Sequence, residues 1–124
     1  MSRRRYVSRN RVTIHRILAQ ATVSDLDSAT TWYTTLFGRG PDANPMPGLL
    51  EWHLADTFGV QVWAEPERAG HSSIVFDETD LDARSALLDA AGVTHDGPDD
   101  ATTTRVLQVS DPDGNRLVFT APLV

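Results

Sequence analysis

Polar side chains that can bind a metal ion or an organic ligand recur at alternate positions in the middle of the chain. Glu51 and His53 are two residues apart, Gln61 follows, and His71 is spaced in the same way from Ser73. Residues two apart lie on one face of a β-strand. Imidazole, carboxylate and amide groups either ligate divalent cations or hydrogen-bond to small molecules. The residue types alone leave both chemistries open.

One metal-binding arrangement is open to these residues. Glu51, His53 and His71 could form a set of two histidines and one carboxylate, although nothing in their spacing requires it. Otherwise His71 is a hydrogen-bonding residue in a pocket lining, and His53 is a half-exposed strand residue. Asp111 and Asp113 look like a paired-carboxylate site, but the sequence Asp-Pro-Asp-Gly explains both as turn residues. The chain has no cysteine, which excludes disulfides, thiolate metal sites and thiol nucleophiles.

The hydrophobic pattern predicts the elements that position these side chains. Apolar residues alternate with polar ones in several strands, and they recur at helical spacing in two segments that begin with acidic residues and end at a glycine. The predicted strands are 17–23, 49–54, 58–64, 71–77, 103–110 and 116–120, with a short edge strand at 93–95. The other predicted elements are helices from Ser24 to Gly38 and from Thr79 to Gly92, a proline-rich loop or broken edge strand at 39–48, and an acidic turn at 96–100.

The two halves of the chain repeat the same order of features. Three matches, separated by 54 to 56 residues, make up the repeat: Asp25-Leu26-Asp27 with Asp80-Leu81-Asp82, Gly38 with Gly92, and 62–66 with 118–122. Matches at one period indicate a duplicated structural unit. We therefore predict an α+β domain over residues 17–124. It consists of two βαβββ modules, 17–66 and 71–122, which form a curved mixed sheet with a concave cleft and with helices on the convex side.

The sheet face opposite the predicted helices mixes apolar surface with a few polar groups, which is typical of a small-molecule pocket. Trp63 could stack on a planar or cationic ligand, and Glu51 would favour a positive one. Alternatively, Trp63 packs at a dimer interface or against the proline-rich loop. We predict that the ligand-binding residues are Leu18, Gln20, Glu51, His53, Gln61, Trp63, His71, Ser73 and Val118.

Three stretches of the sequence resemble the vicinal oxygen chelate superfamily, the group of glyoxalases, bleomycin-resistance proteins and extradiol dioxygenases. They are a strand that ends in Val-Ser-Asp-Leu-Asp, a helix that contains Trp-Tyr and Phe-Gly, and a last strand that begins with Asp-Pro-Asp-Gly-Asn-Arg. The resemblance covers the chain from about Ile17 to the C-terminus. It implies the two-module fold and, as in many small members, a homodimer. Because the superfamily holds both enzymes and binding proteins, the resemblance does not fix the function.

In metal-dependent members of this superfamily, four residues of the concave face bind a divalent cation. Carried over one at a time, these positions are Leu18, Gln61, His71 and Val118. Leucine and valine have no lone pair to offer, so two of the four positions cannot be ligands. We therefore predict a small-molecule binding protein of the glyoxalase/bleomycin-resistance type, which holds an organic ligand of aromatic or cationic character in the cleft without a metal cofactor.

Two alternatives to this prediction stay open. The first is a metal-dependent lyase, isomerase or oxygenase of the glyoxalase or dioxygenase type, with an unusual divalent metal site near His71. The second is an interaction module whose cleft is filled. The Leu18/Val118 pair speaks against the first alternative, because a metal centre needs donor atoms at those positions.

Charge is distributed unevenly along the chain. Six of the eleven arginines lie within residues 1–16, which we interpret as a flexible basic arm. The rest of the chain carries a net charge of −12 (five arginines and seventeen acidic residues), which argues against nucleic acid as a partner. No apolar run approaches the length of a membrane span, and no secretory signal is visible, so we expect no membrane partner and a cytoplasmic location.

Overall fold

The computed structural model describes residues 13–123. Residues 1–12 of the predicted basic arm lie outside the described residues, as does Val124, so the prediction for the arm is not tested. In chain order the elements are β1 (Ile17–Val23), α1 (Leu26–Phe37), β2 (Ala43–Met46), β3 (Leu49–His53), β4 (Phe58–Ala64), a 3-10 turn (Pro66–Arg68), β5 (Ser73–Asp77), α2 (Leu81–Ala90), β6 (Asp96–Asp100), β7 (Thr104–Ser110) and β8 (Arg116–Pro122).

Each half of the chain forms a four-stranded mixed sheet, and the strands follow the same order in both sheets. The first sheet has the order β1-β4-β3-β2 and the second has the order β5-β8-β7-β6. In each sheet the first strand runs parallel to the last strand of its module, and the other neighbours are antiparallel. The α+β fold of two modules that the sequence predicts is thereby confirmed.

Acidic side chains begin both helices, as the sequence predicts. The Asp25 carboxylate accepts a hydrogen bond from the N–H of Asp27, and the Asp80 carboxylate accepts one from the N–H of Ala83. Gly38 ends α1 with a φ of 72°, a left-handed conformation that glycine adopts without steric cost. Among the described residues, no helix is long and apolar enough to cross a membrane.

One hydrophobic core joins the two sheets on the side that the helices cover. A run of aromatic rings passes through it from one module to the other. Tyr33 and Phe37 of α1 contact Trp52 of β3. Phe37 also contacts Phe76 of β5, which stacks on Phe119 of β8 with ring centroids 4.7 Å apart. The alternate residues of each strand therefore point away from the core.

The outer edge of the second sheet differs from the sequence prediction. Residues 93–95 are not a strand; the acidic stretch predicted as a turn forms β6 instead and pairs with β7. Asp99 lies opposite Val106, and Asp100 lies opposite Arg105. An edge strand tolerates both proline and charged residues, because one of its sides needs no backbone partner and stays in water. The prediction for this segment was wrong because it relied on the low strand propensity of aspartate, which an edge position overrides.

The proline-rich segment 39–48 contains β2, an edge strand whose pairing with β3 shifts register between Ala43 and Met46. Asn44 supports the turn that follows, since its amide nitrogen donates to the carbonyl oxygen of Leu49 at 2.6 Å. The sequence predicts a loop or a broken edge strand here, and the segment forms a broken edge strand.

Candidate functional site

Six of the nine predicted ligand-binding residues lie on one surface of the first sheet. We call the side of each sheet that faces away from the helices its open face. Strand pairing aligns Gln20, Gln61 and Glu51 across β1, β4 and β3. The six residues on the open face of the first sheet are Leu18, Gln20, Glu51, His53, Gln61 and Trp63.

Four polar side chains on this face are joined by hydrogen bonds. Gln20 Nε2 donates to Gln61 Oε1 at 3.1 Å, and Gln61 Nε2 donates to Glu51 Oε2 at 2.7 Å. The other carboxylate oxygen, Glu51 Oε1, lies 2.8 Å from His53 Nε2. We call Gln20, Gln61, Glu51 and His53 the polar row. It forms one continuous chain of polar contacts across three strands.

Glu51 is held as a carboxylate although it is largely shielded from water. Its side chain is 9% exposed, compared with 34% for His53. Hydrogen bonds from His53 and Gln61 hold the pKa of Glu51 below its usual range, against the opposing effect of burial. The electrostatic effects of His53 and Arg16 also lower the pKa of Glu51. The open face of the first sheet therefore carries a negative charge at neutral pH.

Trp63 borders the polar row near the turn between β2 and β3. Its ring passes close to Gly48, where a Cβ atom would lie 3.5 Å from the indole. The indole N–H donates to Glu65 Oε1 at 3.0 Å, which fixes the orientation of the ring. Trp63 therefore packs against the end of the proline-rich segment, one of the alternatives that the sequence left open. The ring is only partly buried, so part of it stays accessible to a ligand.

Leu18 adds apolar surface on the same face. Leu18 and His53 lie on either side of Gly59 in neighbouring strands. A Cβ atom at Gly59 would lie 2.9 Å from Leu18 Cδ2 and would collide with the carbonyl oxygen of Trp52. Glycine at this position therefore lets the Leu18 side chain lean over β4. The polar row is thus accompanied by one aliphatic and one aromatic side chain.

The other three predicted residues lie outside this surface. Ser73 and Val118 are on the open face of the second sheet, where Val118 pairs with Val75. His71 is exposed and precedes β5, which begins two residues later than the sequence predicts. His71 lines a small cavity together with Gln20, so it borders the polar row from the side of the second module. The predicted site is therefore divided between the two sheets.

The superfamily's metal-binding positions do not supply a ligand set here. Leu18 and Val118 carry no donor atom, and the Gln61 amide is already bonded at both of its ends. Within residues 13–123, no three histidine, aspartate or glutamate side chains are grouped closely enough to hold a metal ion together. The set of His53, His71 and Glu51 that the sequence left open is therefore not assembled, and the residues present do not fit a metal centre of the superfamily type.

A buried polar cluster at the junction of the modules was not predicted. Asn115 is fully buried; its side chain donates to the Thr22 carbonyl oxygen and to Asp111, and accepts from the Ser72 N–H. The Tyr33 hydroxyl donates to the same carboxylate at 2.7 Å. Burial, followed by the charge of Asp111, raises the pKa of Tyr33 well above its usual range. We call Asn115, Asp111, Tyr33, Thr22 and Ser72 the junction cluster. The predicted Asp-Pro-Asp-Gly turn therefore also ties the second module to β1 and α1.

An apolar groove of roughly 390 Å³ opens between β1 and β5. The side chains of Ile17, Phe58 and Val75 line it and are 70%, 53% and 67% exposed. Asp77 contributes a carboxylate at the end of β5. We call this the seam groove. No residue of the polar row lines it, and it contains large apolar side chains that the core does not cover.

Comparison with known proteins identifies the family. Residues 39–119, more than half of the chain, match the model of the Glyoxalase/Bleomycin resistance protein/Dioxygenase superfamily. The chain belongs to this superfamily. The resemblance inferred from the Val-Ser-Asp-Leu-Asp strand end, the helix with Trp-Tyr and Phe-Gly, and the Asp-Pro-Asp-Gly-Asn-Arg strand is thereby confirmed. None of the curated proteins with which the sequence was compared matches it.

Solved structures share the fold over most of the chain. A glyoxalase/bleomycin resistance protein from Catenulispora acidiphila DSM 44928 is 28% identical, has a TM-score of 0.79, and covers 86% of this chain and 96% of its own. TnmS3, an antibiotic binding protein from Streptomyces sp. CB03234, is 28% identical with a TM-score of 0.75, over 90% and 98% of the two chains. A bleomycin-binding protein complexed with bleomycin is 19% identical with a TM-score of 0.73, over 86% and 97%, which is a likeness of fold alone.

Proposed function

We propose that this protein binds an organic small molecule on the open face of the first sheet. The observation that carries the proposal is the polar row. A carboxylate shielded from water is unfavourable unless its hydrogen-bonding groups are paired. In the polar row that pairing is provided by Gln61 and His53 on the side of the sheet opposite the core. Packing of the fold does not account for a fixed charge there, whereas recognition of a ligand does.

The surroundings of the polar row favour an aromatic or cationic ligand. Glu51 supplies a negative charge, and the accessible part of the Trp63 indole offers a surface on which a planar ring or a cation can stack. Leu18 adds an apolar contact. TnmS3, which shares 28% of its residues with this chain, is an antibiotic binding protein. That relationship supports a ligand of antibiotic-like size and chemistry.

We propose binding without a metal cofactor, because the donor atoms that a metal-dependent lyase, isomerase or oxygenase of this superfamily needs are missing at Leu18 and Val118. The remaining alternative, an interaction module with a filled cleft, is less well supported. Gln20, at one end of the polar row, is exposed. Among the described residues, the row is therefore accessible from at least this end.

We also propose that the protein forms a homodimer, as the family resemblance implies. The exposed Ile17, Phe58 and Val75 of the seam groove support self-association, because contiguous apolar patches of this kind mark interaction surfaces. The cytoplasmic location and the absence of nucleic-acid and membrane partners stay predictions from the sequence.

A matched pair of planar compounds tests the ligand proposal by isothermal titration calorimetry. Proflavine is a planar cationic antibacterial compound, and acridone is a neutral compound with a similar ring system. We expect wild-type protein to bind proflavine more tightly than acridone. Glu51→Gln removes the charge with little change of shape, and it should weaken proflavine binding about tenfold while changing acridone binding by less than about twofold. Trp63→Phe should weaken both compounds.

Two control variants separate this site from general effects of charge and aromatic content. Glu67→Gln removes an exposed acid from the 3-10 turn, and Trp32→Phe changes a tryptophan on α1. Neither should alter proflavine binding by more than about twofold. If Glu51→Gln and Trp63→Phe bind proflavine as tightly as the controls do, or if a wider panel of planar cations shows no binding, the proposal fails.

A further inference from the structure

The hydrogen bonds of the polar row can point in only one direction. An ionised carboxylate accepts hydrogen bonds but cannot donate them. Glu51 Oε2 lies 2.7 Å from the Gln61 amide, so the group that faces Glu51 has to be the Gln61 NH₂. The Gln61 carbonyl oxygen is then turned toward Gln20, which must present its own NH₂ in return, at 3.1 Å. The orientation of both amides follows from the charge at Glu51.

This order leaves one specific atom at the accessible end of the row. With one N–H of its NH₂ donated to Gln61, Gln20 directs its carbonyl oxygen, Oε1, away from the row. Within residues 13–123 this oxygen has no hydrogen-bond partner, and the Gln20 side chain is exposed. The exposed end of the row therefore presents a hydrogen-bond acceptor, Gln20 Oε1, beside the second N–H of the same amide. If the acid were a neutral amide, either orientation of the glutamines would be possible.

Gln20 also lines a polar cavity of roughly 240 Å³ that lies beside the row. The other lining residues include Arg68 and His71, and Glu65, which is bonded to the Trp63 indole. Arg68 has only donors, and a histidine ring nitrogen offers a further donor. The lining of the cavity therefore combines an acceptor fixed by the row with donors from Arg68 and His71. Such a cavity suits a group that both donates and accepts.

We infer that Glu51, in the shielded part of the polar row, fixes Gln20 as a hydrogen-bond acceptor. The site therefore selects a ligand group in which an N–H donor lies next to a carbonyl acceptor, as in a primary carboxamide. The inference rests on the proposed function and adds the ligand group and the residue that selects it. The N–H group bonds to Gln20 Oε1, and the carbonyl oxygen accepts from the Arg68 or His71 side of the cavity. Glu51 is a positioning residue for this contact, since it acts through Gln61 and Gln20.

Two amides that differ only in their N–H groups test the inference. Benzamide has the donor and the acceptor, whereas N,N-dimethylbenzamide keeps the carbonyl group and has no N–H. Titration of ¹⁵N-labelled protein, followed by NMR at the backbone amides of Thr22, His71 and Ser72 in the cavity lining, should show that benzamide binds at least about tenfold more tightly. In Glu51→Gln the two affinities should come within about threefold of each other, because the glutamines are then free to turn. Glu67→Gln should keep the wild-type preference.

Gln20→Leu gives a second route to the same answer if Glu51→Gln is not folded. Gln20 is exposed, so its replacement does not threaten the core, and it should abolish the preference for benzamide. Equal binding of the two amides by wild-type protein, absence of binding by both, or a preference that persists in Glu51→Gln and Gln20→Leu would each overturn the inference. The proflavine and acridone experiment does not depend on Gln20. If proflavine binds as proposed but the protein does not prefer benzamide, selection by Gln20 is refuted and the proposed function is retained.

Discussion

Replacement of Asn115 by alanine should weaken the junction between the two modules. The side chain is fully buried and makes three hydrogen bonds: to the Thr22 carbonyl oxygen, to the Asp111 carboxylate and from the Ser72 N–H. A hydrogen bond between neutral groups contributes about 0.5–1.5 kcal/mol, and one to a charged group contributes about 1.5–3 kcal/mol. Loss of all three predicts that the free energy of unfolding falls by about 3–5 kcal/mol. That is a large part of the 5–15 kcal/mol that is typical of a domain.

Urea unfolding, followed by tryptophan fluorescence and circular dichroism, measures this loss. The urea midpoint should fall with little change in the slope, because the surface exposed on unfolding stays the same. Asn44→Ala is the matched control, since Asn44 is exposed and water can replace its hydrogen bonds; its cost should stay below about 1 kcal/mol. Tyr33→Phe, which removes one donor from Asp111, should fall between the two. A loss below about 1 kcal/mol for Asn115→Ala would refute the role of the junction cluster.

Three further predictions concern other parts of the molecule. The pKa of Glu51 is lowered on folding, so the ionised side chain stabilises the fold at neutral pH and this contribution is lost as the pH falls below about 4. The pKa of Asp42 is lowered as well, so both proteins lose stability in acid, but the urea midpoint should fall further in wild-type protein than in Glu51→Gln; an equal fall would contradict this. Gly59→Ala should lower the free energy of unfolding by about 1–3 kcal/mol, because the new Cβ atom meets a backbone oxygen of β3. A Cβ atom at Gly40 has nothing within 4 Å, so Gly40→Ala should change this free energy by less than about 0.5 kcal/mol. Equal changes in the two variants would contradict this. Phe58→Ser should convert the proposed homodimer to monomers, as measured by light scattering, and an unchanged mass would show that the seam groove is not its interface.

Much of the open face could be predicted because side-chain direction along a strand has a period of two. That rule places Glu51 and His53 together, and it places Gln61 and Trp63 on the face opposite Val60 and Val62, which are buried. It does not give the partners of each side chain. Those depend on the pairing of β1 with β4 and of β3 with β4, which brings residues from distant parts of the chain into one row.

The junction cluster could not be predicted for a related reason. The bond between Asn115 and the Thr22 carbonyl oxygen joins residues 93 positions apart, and no local pattern carries that contact. Turn formation by the Asp-Pro-Asp-Gly sequence is a sufficient local reason for Asp111, so nothing in the sequence indicated that this residue also joins the modules. An asparagine directly before an apolar strand was the only available signal. The strand β6 was missed because pairing with β7 overrides the turn propensity of its residues.

The position at which a planar cation binds is the most direct test of the proposed site. In an NMR titration of ¹⁵N-labelled protein with proflavine, the largest shift changes should occur at the Trp63 indole N–H and the Gln61 side-chain amide. The dissociation constant should rise about tenfold in Glu51→Gln. Shift changes confined to Phe58 and Val75 in the seam groove, with the same dissociation constant in the variant, would contradict the proposed site.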